Sequence, residues 1–191
     1  MAFNYDVILM MGPQGSGKGT QGKRLAAKLN FFYWEMGAVL RGVIAEGGSL
    51  AERVSVLNNG TLLSDELLIE VIKERLSAIP SDKGIIFDGV PRRIGQAEFL
   101  FCWLKEQHRD RVATLFISLP REESVKRLML RAQTEKRADD TPEGIERRLQ
   151  FYETETAPIL DYIKKKTTYF EVDGTPTIDE VEKEINAALG I

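Results

Sequence analysis

Four short apolar runs recur along the chain with helical patterns between them: DVILMM (6–11), GIIFD (84–88), VATLFIS (112–118) and TTYFEV (167–172). Runs this brief, β-rich and continuous read as strands buried on both faces of a parallel sheet. FFYW (31–34) is a fifth candidate. Residues 18–29 carry a helical pattern after the first strand. SDELLIEVIKERL (64–76) opens with Ser64 as N-cap and acids in its first turn. TPEGIERRLQFYETETAPILDYIKKK (141–166) starts with Thr141 as cap and Pro142 at the first helical position, and Pro158 predicts a kink inside it. Strands alternating with helices restrict the fold to a doubly wound α/β class. Five parallel strands are flanked by helices in three layers, with ligands at the carboxyl ends of the strands. At 191 residues the chain suits a single domain, residues 1–191.

The alternation is interrupted twice. Residues 35–64 hold helical pieces and no strand, and residues 132–140, AQTEKRADD, form a polar connection between arginine-bearing helices. Both are expected to be moving parts. FLFCWL (99–104) is apolar on every side of its helix, which implies core packing or a homo-oligomer interface.

The bulk numbers exclude several functions. A net charge of −3 argues against a general nucleic-acid or membrane-surface binder. No apolar stretch approaches the roughly 20 residues that span a bilayer. The first apolar run has no basic region before it and leads into a glycine loop, unlike a signal peptide. The single cysteine, Cys102, excludes an intrachain disulfide and a multi-cysteine zinc site. A cytoplasmic location is expected.

Directly after the first run stands GPQGSGKGT (12–20), which satisfies GxxxxGK. That pattern arises by chance in roughly one such sequence in ten, so its setting between a strand and a helix carries the weight. Glycines let successive backbone N–H groups face phosphate oxygens, and the helix N-terminus adds its positive end. Lys18 would bridge the terminal phosphates. The strand IIFD ends in Asp88, beside that loop, where a carboxylate can hold Mg²⁺ through water. Alone, Asp88 would serve equally as a turn cap. Arg127 and Arg131 share one helical face, Arg137 lies in the polar connection, and Arg147 and Arg148 follow in the next helix. Guanidinium forks on both sides of a short loop suit phosphoryl oxygens.

Together these elements resemble the nucleoside monophosphate kinases, and the adenylate kinases most closely, over almost the whole chain. The resemblance implies a P-loop NTP-hydrolase-like fold with an AMP-binding insertion at about 35–64 and a short lid at about 130–140. GSGKGTQ (15–21) is that family's phosphate loop, which gives ATP contacts to Gly15, Ser16, Gly17, Lys18, Gly19 and Thr20. GAVLRG (37–42) resembles the start of the AMP helix, with Arg41 on the AMP phosphate. NGTLLSDELL (59–68) implies Thr61, Leu62 and Leu63 at the acceptor base. DGVPRRIGQAE (88–98) implies Gly89 and Arg92 for AMP, and Gln96 at the adenine edge. VKRLMLRAQTEKRADD and ERRLQFY resemble the lid and its flanks. Arg127 is then implied near the ATP base with Pro176, while Arg131, Arg137 and Arg148 surround the phosphates and the last two also serve AMP. The catalytic set implied is Lys18, Arg92, Arg131, Arg137 and Arg148. The lid is the short form, without structural zinc.

Four positions depart from the family's pattern. Gln14 replaces a proline and Val90 a phenylalanine; Met36 stands in place of a threonine facing the AMP base, and Ala38 in place of an aspartate. The expected reaction is ATP + AMP ⇌ 2 ADP with Mg²⁺. The attacking phosphate oxygen is already ionised and needs no general base, which fits a chain whose one histidine, His108, follows a helix as an exposed residue. A UMP/CMP kinase, a non-catalytic nucleotide sensor and a GTPase-type switch are the alternatives. Gly19 in place of a Mg-binding Ser or Thr, and the lack of an NKxD-type segment, argue against the switch.

Overall fold

The computed structural model describes residues 3–55, 63–135 and 141–191. Five strands, β1 (Val7–Met11), β2 (Phe32–Glu35), β3 (Ile85–Asp88), β4 (Val112–Ser118) and β5 (Thr168–Asp173), form one sheet in the order β2-β3-β1-β4-β5. Every pairing is parallel, with Val7 of β1 opposite Ile85 on one side and Val112 on the other. β1 is wholly buried and β3 lies within the sheet, as their unbroken apolar runs require. The fifth candidate strand forms one residue later than FFYW, because the Phe31 N–H still bonds the Ala26 carbonyl at the end of the preceding helix.

Side chains alternate along each strand between two cores. Ile8 and Met10 face α1 (Lys18–Leu29) and α9 (Ile178–Leu189), with Leu25, Val181 and Ile185 from those helices. Val7, Leu9 and Phe87 face α4 (Asp65–Leu76) and α5 (Ile94–Glu106), with Val71, Ile72 and Leu100. Between β2 and α4 lie α2 (Met36–Glu46) and α3 (Gly48–Ser55), so the 35–64 interruption is helical in its described part. The apolar FLFCWL segment belongs to α5. Leu100 and Leu104 are buried, Phe99, Phe101 and Trp103 pack half-buried against the same core, and Cys102 is exposed.

α6 (Arg121–Glu135) and α7 (Pro142–Phe151) flank the expected lid and meet through Leu128, Ile145 and Leu149. The polar connection is shorter than AQTEKRADD suggests, because Ala132–Glu135 continue α6. The Thr134 hydroxyl is satisfied by bonding back to the Leu130 and Arg131 carbonyls. Ser64 and Thr141 cap their helices as expected, accepting from the backbone N–H of Leu67 and Gly144. The kink at Pro158 takes a definite form. A π-helical stretch (Tyr152–Thr156) and a 3₁₀ turn (Ala157–Ile159) separate α7 from α8 (Leu160–Lys164). Proline has no N–H for an α-helical bond and its ring crowds the carbonyl four residues earlier, so the ladder widens there. Among the described residues no helix is long and apolar enough to cross a membrane.

Candidate active site

β1 lies between β3 and β4, where the strand order changes direction, and the crevice beyond its carboxyl end is where such sheets take ligands. The loop from Gly12 to Gly17 leaves β1 at that point. Gly12 has φ +136°, and a Cβ there would sit 2.3 Å from the Ile117 carbonyl oxygen, so only glycine lets the loop lie against β4. Gly17, at φ +93°, is the left-handed residue from which α1 starts. The backbone therefore turns directly into a helix N-terminus, with Ser16 buried beneath it and Thr20 exposed in the first turn.

Lys18 folds back over this loop. Its Nζ donates to the Gly12 and Pro13 carbonyls, both at 2.7 Å, and approaches Ser16 Oγ at 3.5 Å. Burial pushes the ammonium down from its ordinary value to about 8; the Asp88 carboxylate opposes that shift, while Arg92 and Arg131 add to it. These influences place Asp88, Arg92 and Arg131 around one lysine. Asp88 ends β3 nearly buried and accepts a 2.7 Å hydrogen bond at Oδ2 from the Tyr33 hydroxyl. Desolvation, with the Asp88 charge, raises the Tyr33 phenol far above its usual range, so it remains a donor. Tyr33 can lie there because Gly22 of α1 has no side chain: a Cβ would come 2.7 Å from the ring. Gly19 likewise leaves Asp88 facing the loop, its nearest neighbours being Asp88 Oδ2 and the Tyr33 hydroxyl.

On the other side of Asp88 lies a cavity of about 180 Å³ lined by Met36, Leu63, Gly89, Arg92 and Gln96, together with Leu40 and Phe151. Five acceptor-site residues expected from the sequence thus meet in one space. Met36 forms a buried wall of it. The Arg92 guanidinium is anchored by an Nε–H bond to the Gly89 carbonyl, 2.9 Å, and burial lowers its pKa against the opposing charge of Asp88. Gln96 is held at both ends: Oε1 accepts from the Arg92 backbone N–H at 2.8 Å, and Nε2 donates to Asp65 Oδ1 at 2.8 Å. Gly89 and Arg92 also line a smaller space of about 50 Å³ against Gly12 and Lys18 of the glycine loop.

The remaining expected residues line neither space among the described residues. Arg127 donates to the Gly174 and Thr175 carbonyls at 2.8 and 3.0 Å, next to exposed Pro176, and to Glu123 at 2.9 Å. Arg148 lies in α7, its Nε donating to the Gly144 carbonyl, and its charge acts on Arg92. Arg41 is exposed on α2, outside the cavity lining, where it pairs with Glu35 at 3.1 Å. Thr61, Leu62 and Arg137 lie outside the described residues. Two partners escaped sequence reasoning: Tyr33, which read only as part of a strand, and Asp65, which read only as a first-turn acid. A larger groove of about 490 Å³ opens beneath α6, between the ends of β4 and β5 and α7, and contains none of the expected nucleotide contacts.

The family model described as adenylate kinase matches residues 10–168, which spans both spaces and both arginine-bearing helices. This chain belongs to the adenylate kinase family. It is 40% identical over 185 residues to an adenylate kinase of Thermus thermophilus, covering 96% of this chain and 97% of that protein. The adenylate kinase of Phocaeicola vulgatus is 39% identical over 163 residues, 85% of this chain and 86% of the relative. That of Stenotrophomonas maltophilia is 38% identical over 183 residues, 95% and 98% of the two chains. Membership makes the chain an ATP:AMP phosphotransferase, with ATP, AMP and ADP as its nucleotides. The UMP/CMP kinase, sensor and switch readings are not favoured.

Proposed function

We propose that ATP occupies the glycine loop and AMP the 180 Å³ cavity, and that the phosphoryl group passes across the space shared by Lys18 and Arg92. The observation that carries this assignment is the shared lining: Gly89 and Arg92 belong to both spaces, and Lys18 lines the smaller one. Backbone N–H groups from Gly15 to Thr20 hold the donor phosphates at the positive end of α1. Arg127 and Pro176 flank the donor base. Arg92, Arg41 and Arg148 receive the acceptor phosphate, while Met36, Leu63 and Gln96 enclose the acceptor base. Thr61 and Leu62 add to that enclosure, and Arg131 and Arg137 bring charge from the lid.

The nucleophile is a phosphate oxygen of AMP and carries its charge before the reaction. No side chain has to remove a proton. Catalysis is positioning and electrostatic stabilisation: Lys18 and the arginines hold two polyanions together in line, and stabilise charge on the transferring oxygens. Both nucleotides must be shielded from water, or ATP hydrolyses instead. Helices α2 and α3 and the short lid are the parts assigned to that closure. Mg²⁺ supplied with ATP neutralises phosphate charge. Asp88 would hold it through water, and one near-buried carboxylate fits an ion that keeps most of its waters and takes its other ligands from the phosphates. A cytoplasmic setting, where both nucleotides are abundant, suits this reaction.

The assignment is tested by two purified variants. Lys18→Ala is expected to lower kcat by orders of magnitude, and Arg92→Ala to raise the AMP KM about a hundredfold while the ATP KM moves little. An Arg92→Ala variant whose defect falls on ATP instead would reverse the assignment of the two spaces.

A further inference from the structure

Gln96 can read a base only if the two ends of its amide are told apart. Oxygen and nitrogen are nearly the same size, and the terminal torsion of glutamine is broad and two-fold, so an unrestrained amide presents either order. Here the order is set from both sides. The Arg92 backbone N–H is solely a donor and bonds Oε1 at 2.8 Å; the Asp65 carboxylate, solely an acceptor when ionised, takes Nε2 at 2.8 Å. A flipped amide would set Oε1 against the Asp65 oxygen and the NH₂ against the Arg92 N–H. Both bonds would be lost and two like-polarity contacts made in their place. What remains for the cavity is one N–H and one lone pair, in a single fixed order beside Met36 and Phe151.

On its Watson–Crick edge adenine presents an amine donor beside the N1 acceptor, and a 6-oxo purine reverses both, with a carbonyl acceptor beside an N1–H donor. An amide free to flip can serve either; an amide pinned in one order meets the carbonyl with its own oxygen. We infer that Asp65 is the specificity-determining positioning residue of the acceptor site, acting through Gln96 to reject guanine. This rests on the assignment of the 180 Å³ cavity to the acceptor nucleotide. Asp65 touches no reacting atom. Its other neighbour is Arg93, whose guanidinium lies 3.4 Å from the same Oδ1 and so helps to hold the carboxylate in place. The two residues joined by the Gln96 contact are 31 apart in sequence and come from the starts of α4 and α5.

The test measures steady-state transfer from ATP to AMP and to GMP, with equilibrium binding of each acceptor in the absence of ATP. Wild type is expected to favour AMP strongly. Asp65→Ala is expected to narrow the AMP-to-GMP ratio of kcat/KM, and of binding affinity, by about tenfold or more. Its ATP KM is expected to stay within about twofold of wild type. Asp65→Asn keeps an acceptor oxygen for Nε2 but can also turn its NH₂ to a flipped Gln96, so it is expected to narrow the ratio, though by less than Asp65→Ala. Should the alanine variant lose stability, Asp65→Ser, too short to reach Gln96, takes its place. An unchanged ratio in Asp65→Ala or Asp65→Ser, with wild type active on AMP, would overturn the inference and leave the functional reading standing. Transfer by wild type to neither acceptor would instead defeat the functional reading itself. Equal losses for ATP, AMP and GMP would reduce Asp65 to a structural role.

Discussion

Lys18 is the residue proposed for the donor phosphates, and its setting ties that role to pH. Burial holds the free ammonium at about 8, so between that pH and the ordinary lysine value near 10.5 the unfolded chain binds a proton that the folded chain does not. Stability therefore gains from this group as pH rises through that window. ATP binding runs the other way. The bound phosphates favour the charged ammonium, so binding above about pH 8 must draw a proton from solution. ATP affinity measured calorimetrically is expected to fall with pH above 8, approaching about tenfold per unit, with proton uptake visible as a buffer-dependent enthalpy. Affinity that stays flat between about pH 7 and 9.5 would contradict the buried state of Lys18. Gly19 also acquires a physical meaning at this scale. The hydroxyl that a Ser would place beside Asp88 is replaced by that of Tyr33, reaching across from β2.

Close approach of α1 to β2 is what brings Tyr33 to Asp88, and it depends on one glycine. A Cβ at Gly22 would lie 2.7 Å from the Tyr33 ring, while at Gly42, in the middle of α2, nothing stands within 4 Å. The same substitution should have opposite signs at the two positions. Gly22→Ala is expected to destabilise the fold by about 1–3 kcal/mol, with the Tyr33 contact displaced. Gly42→Ala is expected to stabilise it by about 0.5–1 kcal/mol through helix propensity alone. Thermal unfolding of the ligand-free variants decides it, and two shifts of the same sign would disprove the packing argument. The elements themselves were largely legible in the sequence, because what specifies them is local. Continuous apolar runs marked four strands, Ser64 and Thr141 stood at their caps, and Pro158 marked the break. The form of that break was not legible, since a π-helical stretch followed by a 3₁₀ turn depends on how the widened ladder packs. The residues that orient the site were hidden for a related reason. Tyr33 meets Asp88 across 55 residues and Asp65 meets Gln96 across 31, and no period or short motif spans such distances.

At the scale of the whole molecule, a parallel sheet with β1 at its centre brings the carboxyl ends of β1 and β3 together, with the glycine loop and the proposed acceptor cavity on either side. Phosphoryl transfer then needs no group to cross the molecule, only closure of the elements on either side. Lys18, Arg92 and Arg131 gather around Asp88 at this edge, although the chain as a whole is slightly acidic, with a net charge of −3. That contrast suits an enzyme that binds two small polyanions. The proposed acceptor space is lined by Met36 and by Gln96, held at both ends, so adenine selectivity is its central expected property. The most direct measurement is the initial rate of ADP formation from Mg²⁺-ATP with AMP, dAMP, CMP, UMP or GMP supplied singly as acceptor. The expected result is rapid transfer to AMP and transfer at least about a hundredfold less efficient to CMP, UMP and GMP. A preference for a pyrimidine acceptor, or no transfer to any of these acceptors, would contradict it.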